Sequence, residues 1–388
     1  MARIVDAIGF HKGAKLSCAE AADFLGVSER HFLRLRRAHE QEGAAGIVDR
    51  RRGRASGRRA GVDEIEWVTE QFRTRYFDFN VTHFHEQIAG KPMSDGKPFR
   101  RSYTFTKSVL QHRGLLTKGR LRGPHRKKRE RSPLAGMLVF QDGSRHGWLP
   151  QGPPLDLIVT LDDATSHILS IFLVEEEGTA SSFRGLAETI RRHGLFSAFY
   201  TDRGSHYFFT PKTGGAVDKT RLTQVGRALA EVCITHIPSY SPQARGRMER
   251  QWDTLQKRLP QLLRLHGLTT MEAANRWLAD VYMREHNARF GVAAAEEGSA
   301  FIRFVGELDD ILCVREERVV QNDNTVRHEG RVLQIPESRH RRHFVRQRVR
   351  VHEYPDGSLA LFHGPRRLAR YSCDGTPLAE ETPQKHVA

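Results

Sequence analysis

Cysteine is scarce in this chain of 388 residues: Cys18, Cys233, Cys313 and Cys373 stand far apart, and no two form a CxxC pair. That spacing argues against a disulfide framework and against a zinc ribbon or finger, leaving reduced thiols as the default reading. Long apolar runs are missing too. Nothing approaches the roughly 18 residues a membrane span needs, and the N-terminus lacks the charged-then-apolar order of a signal peptide. The expectation is a soluble, cytoplasmic protein with no membrane partner and no small-molecule cofactor. Internal repeats and low-complexity tracts are also absent. Acidic residues are the minority charge, 46 Asp and Glu against 62 Lys and Arg, for a formal charge of +16. An excess of that size is the footprint of a polyanion, although acidic membranes and ribosomes attract it as well. The hydrophobic share of 38% is enough for cores, and the length calls for roughly two to four domains.

Residues 1–49 read as a helix-turn-helix. Ser17 followed by Glu20 is a capping-box start, with Ala21, Ala22, Phe24 and Leu25 as the apolar face. Gly26 makes the turn, and Ser28 can cap a second helix to about His39. On that helix Phe32, Leu33 and Leu35 are expected to pack inward, while Arg30, His31, Arg34 and Arg37 face out. A glycine turn before a basic helix is the geometry that enters a major groove; a plain helical bundle with a solvated face is the alternative. Residues 50–61 are a basic linker, with six arginines between Arg50 and Arg59, among them Arg51, Arg52 and Arg54. It is either inert or an arm lying along phosphates.

Residues 62–117 read as a second helical module, winged or helix-turn-helix-like. Its helices are Val62 to Arg75, one capped by Thr82 through Ile88, and Ser102 to His112, and Tyr103, Thr106, Lys107 and Gln111 are candidates to face DNA. A second basic linker spans 118–132. Lys118 to Arg131 holds eight Lys or Arg, including Arg126, Lys127 and Lys128, and such a run is either solvated or tracks phosphates.

From 133 to 304 the pattern becomes strands and then alternates. Met137 to Phe140, Asp156 to Leu161 and His167 to Val174 predict an antiparallel meander. Helix Ser181 to His193, strand Ala198 to Tyr200, helix Leu222 to Glu231, strand Cys233 to Ile237, a long helix from Arg245 to about His266 and another from Met271 to Asn287 follow. The order βββ-α-β-α-β-α is a mixed sheet flanked by helices. Residues 305–388 return to strands, with a hairpin turning at Pro355-Asp356-Gly357, and read as a small β-barrel with a basic face and tail. The whole is a multidomain α/β protein.

Three acids stand at suggestive places: Asp142 after the first strand, Asp202 after the strand ending at Thr201, and Glu249 one turn into the helix after Ser241-Pro242-Gln243-Ala244-Arg245-Gly246. Singly they mean little. Asp142 before Gly143-Ser144 and Asp202 before Arg203-Gly204 both read as turn chemistry, and Glu249 as a solvated helix residue. Together they could converge, and hard oxygen ligands in that number suit Mg²⁺ or Mn²⁺. Asp162 and Asp163 read as turn formers, and His146 as a polar strand residue.

The region from about Pro133 to Phe304 resembles the catalytic core of DDE transposases and retroviral integrases, which has the RNase H-like fold. The resemblance lies in an Asp after the first strand, in Thr201-Asp202-Arg203-Gly204-Ser205, and in Tyr240-Ser241-Pro242-Gln243-Ala244-Arg245-Gly246 leading to Met248-Glu249. With the N-terminal modules, the layout is similar to bacterial insertion-sequence transposases of the group called ISNCY. The resemblance implies Asp142, Asp202 and Glu249 as catalytic metal ligands for two Mg²⁺ or Mn²⁺ ions. It also implies a double-stranded DNA substrate, both element ends and target, a homodimer or higher multimer on that DNA, and a place at the bacterial nucleoid. Arg203, His206 and Arg245 would touch phosphates near the cut. Two departures stand out. Arg203 replaces the usual Asn, and Asp202 and Glu249 enclose more residues than is typical, with Lys212 to Lys219 reading as an inserted loop. Glu231 is the rival third ligand. A catalytically idle DNA-binding regulator, and an RNase H-like nuclease without strand transfer, remain the other readings.

Overall fold

The computed structural model describes residues 2–49, 59–116, 129–212, 215–218, 220–240, 242–337 and 341–378, apart from the side chains of 242–245. They form two compact units, Met1–Val68 with Met93–Asp95, and Thr69–Pro92 with Gly96–Ala388. Most of both basic linkers, including Arg51, Arg52, Arg54, Arg126, Lys127 and Lys128, lies outside the described residues.

In the first unit a helix ahead of the expected pair, α1 (Ala2–Lys12), joins α2 (Cys18–Leu25) and α3 (Glu29–Glu42). Ser17 and Glu20 close the capping box, the Ser17 amide donating to the Glu20 carboxylate at 2.7 Å and the Glu20 amide to Ser17 Oγ at 3.2 Å. Gly26 ends α2 at φ 66°, a left-handed turn that glycine takes without strain. Ala7, Ile8, Ala21, Ala22 and Phe32 make the core. Leu33 does not join it and is 41% exposed, because Phe32 alone occupies the seat and the next residue points about 100° around the helix.

Helix α4 (Val62–Thr74) begins in the first unit and ends in the second, which continues with α5 (Val81–Ile88) and α6 (Tyr103–His112). Asn80 rather than Thr82 caps α5, accepting from the His83 amide at 2.9 Å. Phe72, Tyr76 and Phe84 interlock at 5.0 and 5.5 Å between ring centres. Thr106 turns inward and is fully buried against His85 Nδ1 at 3.0 Å, so it cannot face DNA; Tyr103 and Lys107 remain exposed.

Five strands build the central sheet: β1 (Leu138–His146), β2 (Leu155–Asp162), β3 (Ile168–Val174), β4 (Ala198–Thr201) and β5 (Thr235–Pro238). Their order is β3-β2-β1-β4-β5. The first three form the antiparallel meander, while β4 runs parallel to β1 and β5 parallel to β4. This is the mixed sheet flanked by helices that the order of elements predicts. Helices α7 (Thr179–His193) and α8 (Gln224–Glu231) connect the later strands and bury one face through Val139, Phe183, Leu186, Phe199 and Leu229. The other face, with Phe140, Leu157, Val159 and Ile171, packs on Met248, Leu255, Leu259 and Leu278.

Those residues come from α9 (Pro242–Gln256), α10 (Leu259–Leu265) and the segment of α11 (Met271–Trp277) and α12 (Met283–Phe290), joined by a π-type turn over Leu278–Tyr282. The single long helix expected from Arg245 to His266 is broken at Arg258, where φ is −133°, because Pro260 in the next turn offers no amide to continue the ladder. The helical module docks here. Arg258 donates to both Glu86 oxygens at 2.5 and 3.0 Å, Arg289 reaches Glu86 at 2.5 Å, and Arg264 grips Asp78 at 2.7 and 2.9 Å.

After α13 (Leu308–Ile311) come β6 (Val314–Val319), β7 (Thr325–His328), β8 (Arg331–Gln334), β9 (Arg348–Glu353), β10 (Leu359–His363), β11 (Arg366–Tyr371) and β12 (Pro377–Leu378). The sheet β12-β11-β10-β9-β6 is open, so the expected barrel is not closed. The separate hairpin β7-β8 supplies Val326 and Leu333 to the core over the sheet, covering a face that closure would otherwise enclose.

Burial holds four histidines of the second unit far below the ordinary value of 6.5: His83 to about 3, with Arg258 and Arg289 adding repulsion, His236 to about 3, His286 to about 4 and His352 to about 3. They stay neutral in the fold while the unfolded chain takes up protons below about pH 6.5, so stability is lost as pH falls from 6.5 toward 4. On the order of 1 kcal/mol per histidine per pH unit is expected. Thermal midpoints between pH 7.5 and 5 should fall steeply; a flat profile would contradict the neutral, buried assignment.

Candidate active site

Asp142 lies inside β1 rather than after it. Pairing with β2 continues through Asp142↔Val159 to His146↔Leu155, because β2 is buried along its whole length and draws Gly143 and Ser144 into the ladder despite their turn preference. Successive residues alternate faces. Phe140 and Asp142 therefore look toward α9, and the Trp252 Nε1–H donates to Asp142 Oδ2 at 2.9 Å. One pleat on, Gln256 Nε2 donates to Ser144 Oγ at 3.1 Å. Asp142 is 9% exposed.

Asp202 follows the end of β4. The parallel register pairs Phe140 with Tyr200, so Asp142 and Asp202 each lie two residues beyond the last pair between these neighbouring inner strands. Adjoining strands run about 4.8 Å apart. Asp202 Oδ1 accepts from the Gly204 amide at 2.9 Å, which turns the chain away.

Glu249 sits two turns into α9, exposed, and one turn before Trp252. The helix is held by Arg247, which donates to the carboxylate of Asp163 and, at 2.9 Å, to the Arg129 carbonyl. Asp163 is fully buried and also binds Arg129, the Ser132 amide at 2.8 Å and Ser132 Oγ at 2.9 Å. Its neighbour Asp162 accepts from Thr165 N and Oγ1 and from Gly136 N, at 2.8, 2.7 and 2.8 Å. Both are structural, as turn chemistry anticipates.

The oxygens of Asp142, Asp202 and Glu249 do not all approach within 4.8 Å of one another; among the described residues the group that does is His328, Glu329 and Glu353. That group belongs to the C-terminal strands, where Arg331 stands 3.7 Å from Glu329 and 3.9 Å from Glu353. It is an ion-pair network with its own cation. Asp142, Asp202 and Glu249 offer hard carboxylate oxygens, the donor type that divalent magnesium or manganese takes. Two ions about 3.5–4 Å apart need a span wider than one shared contact point.

Glu231, the rival ligand, is occupied: Arg315 binds both its oxygens at 2.8 and 3.1 Å, and Arg227 adds 3.2 Å. One acid escaped the sequence reading. Glu177, just before α7, lies against Gly143, where an added Cβ would fall 2.2 Å from its Oε2, and its Oε1 is 3.7 Å from His206 Nε2. Nothing in the run Glu175-Glu176-Glu177 singles it out. Beside it the buried Tyr207 hydroxyl is raised well above its ordinary value, by burial first and then by Glu177, Asp202 and Asp142. His146 packs edge-on against Trp148 at 5.1 Å.

Of the residues expected at DNA, Arg30, Arg34 and Arg37 are exposed on α3 and His31 half-buried, whereas Arg36 turns inward to His11 at 2.9 Å. Arg203 is turned toward Gly215 and Tyr240. The Arg245 side chain lies outside the described residues.

Residues 11–64 match the winged helix-turn-helix family. A transposase candidate of Sinorhizobium fredii, y4bF, is 32% identical over 349 residues, 89% of this chain and 75% of its own. The transposase for insertion sequence IS1202 of Streptococcus pneumoniae is 28% identical over 394 residues, 90% of this chain and 80% of its own. Among solved structures, the HTLV-2 integrase catalytic core in complex with magnesium is 16% identical at a TM-score of 0.29, over 38% of this chain and 87% of that one. A simian T-cell lymphotropic virus intasome in complex with a PP2A regulatory subunit is 14% identical at 0.33, over 73% and 93%.

Removing the Asp163 carboxylate leaves Arg247 half-buried without its partner. Asp163→Ala should therefore cost about 3–5 kcal/mol of stability in urea unfolding. A loss under about 1 kcal/mol would mean that Asp163 does not anchor α9.

Proposed function

The chain belongs to the transposase family, and from that premise we propose that it cuts and rejoins DNA strands at a divalent-metal centre formed by Asp142, Asp202 and Glu249. The observation that supports the reading is the register of β1 and β4, which pairs Phe140 with Tyr200 two residues before Asp142 and Asp202, with α9 held over Asp142 by the bond from Trp252. Asp142, Asp202 and Glu249 would hold two Mg²⁺ or Mn²⁺ ions. When bound, such ions supply Lewis acidity at the scissile phosphate and stabilise the attacking and leaving oxygens of an in-line displacement.

The chain's own part is positioning. Trp252 fixes the side chain of Asp142, the Gly204 amide fixes that of Asp202, and Arg247 seats the helix that carries Glu249. Water would hydrolyse a phosphodiester at the element's end and free a 3′-hydroxyl. That hydroxyl would then displace the 3′-oxygen of a target phosphodiester, joining the strands while the displaced oxygen leaves as a new 3′-hydroxyl. Holding nucleophile and phosphate in line accounts for much of the rate, and no protein nucleophile is needed. Arg30, His31, Arg34 and Arg37 on α3 would read the element's end from the major groove, with Lys107 on α6 as a second contact. Two ends must be brought together for joining, so a dimer or higher multimer on DNA belongs to this reading.

The test uses labelled duplexes carrying the inverted repeats that flank the gene. Wild-type protein should nick and join them with Mg²⁺. Asp142→Ala, Asp202→Ala and Glu249→Ala should bind the ends but lose roughly a thousand-fold in rate, about 4 kcal/mol of transition-state stabilisation. An active Glu249 variant would put the third ligand elsewhere. Binding without cutting under either metal would favour an idle regulator, and cutting without joined product a nuclease.

A further inference from the structure

The two departures in the sequence, Arg203 after Asp202 and the extra residues before Glu249, meet at one place in the structure. The Arg203 guanidinium lies 5.0 Å from the centre of the Tyr240 ring, and its Nη1 donates to the Gly215 carbonyl at 2.8 Å. The Tyr240 hydroxyl accepts from the Val217 amide at 3.2 Å. Gly215 and Val217 belong to the extra loop. Its base is closed by the Asp218 amide donating to the Phe209 carbonyl at 2.8 Å and by Arg221 stacked 4.0 Å over the Phe209 ring. A planar guanidinium suits this position, because it stacks by its face while its edge donates hydrogen bonds, which an ammonium cannot do.

Each of the three acids has a different means of support. Asp142 is paired within β1 and bound by Trp252, and Glu249 rides on a helix seated by Arg247. Asp202 lies beyond the last residue of β4, and its carboxylate accepts from the Gly204 amide of its own turn. The next residue, Arg203, ties that turn to the loop and to Tyr240, which lies between the end of β5 at Pro238 and the start of α9 at Pro242. Tyr240 is 57% exposed, so burial does not hold its ring in place.

We propose that Arg203 is the positioning residue of Asp202: clamped between Tyr240 and the extra loop, it fixes the turn that presents this carboxylate, and the loop is present at this site to complete the clamp. The proposal rests on the reading of Asp202 as a metal ligand. The two departures are then one feature. An asparagine at 203 is too short to span to Tyr240 and Gly215, and without residues 215–217 the arginine would have no carbonyl to hold.

The test is Mn²⁺ binding to the full chain, followed by calorimetry, beside binding to labelled end DNA. Arg203→Ala and Tyr240→Ala should each weaken Mn²⁺ affinity at least five-fold while end binding and the thermal midpoint stay close to wild type. The double variant should be no weaker than either single one, since both break the same clamp. Arg203→Lys should not restore affinity, and Tyr240→Phe, a milder change that keeps the ring, should lose part of it. Wild-type Mn²⁺ affinity in Arg203→Ala, or additive losses in the double variant, would overturn the clamp. Loss of end binding with Mn²⁺ affinity intact would also overturn it and make Arg203 a direct DNA contact. Asp202→Ala separates the two levels: if it binds Mn²⁺ like wild type, the metal-centre reading fails and the clamp with it. If it loses Mn²⁺ while Arg203→Ala does not, only the clamp fails.

Discussion

A single carboxylate with no solvent exposure, that of Asp163, ties together three parts of the chain that sequence keeps far apart. It binds Arg129 and Ser132 where the chain enters the core, it sits in the turn between β2 and β3, and it holds Arg247 on α9. A buried charge is tolerated when its partners are themselves charged or hydrogen-bonded. Here Arg131 extends the same junction to the carbonyls of Asp163 and Ala164 and to Ser166 Oγ, at 3.0, 3.2 and 2.7 Å. The helix carrying Glu249 is thus registered against the sheet by polar contacts at one end and by Trp252, Leu255 and Gln256 farther along. An apolar face alone would let α9 slide along the sheet; the directional bonds of Arg247, Trp252 and Gln256 fix its register.

The candidate site shows why some of it was legible and some was not. The meander and the later strands carry their own signal, since runs such as Leu155 to Leu161 are mostly apolar, with Ile158, Val159 and Thr160 β-branched. The Pro-Gln motif before Glu249 is local as well. Asp142 was misplaced by a few residues because Gly143 and Ser144 favour turns in isolation, and only the long partner strand overrides them. Glu177 and the ion-paired state of Glu231 are products of tertiary packing. The residues that decide them, Gly143 in one case and Arg315 in the other, lie far away in sequence, and no window of the chain contains both members.

The same division holds outside the site. The capping box at Ser17 and the turn at Gly357, with φ 78°, are local chemistry and were readable. Helix α1 has neither an acidic first turn nor a strong apolar stripe, and it forms because Ala7 and Ile8 find Phe32. The inward turn of Thr106 depends on His85. Whether the C-terminal strands close depends on edge pairing between β6 and β12, and neither strand's own residues specify that.

The bond between Trp252 and Asp142 has a practical consequence. An indole N–H can donate but not accept, so Trp252 binds this acid only through a carboxylate or carbonyl oxygen, and its ring sits about 6.5 Å from that of Trp148. The centre therefore contains its own chromophore. Changes in the charge on Asp142, whatever neutralises it, alter the electrostatic field at an indole one hydrogen bond away, and the emission spectrum of the unlabelled protein becomes a report on its candidate active site.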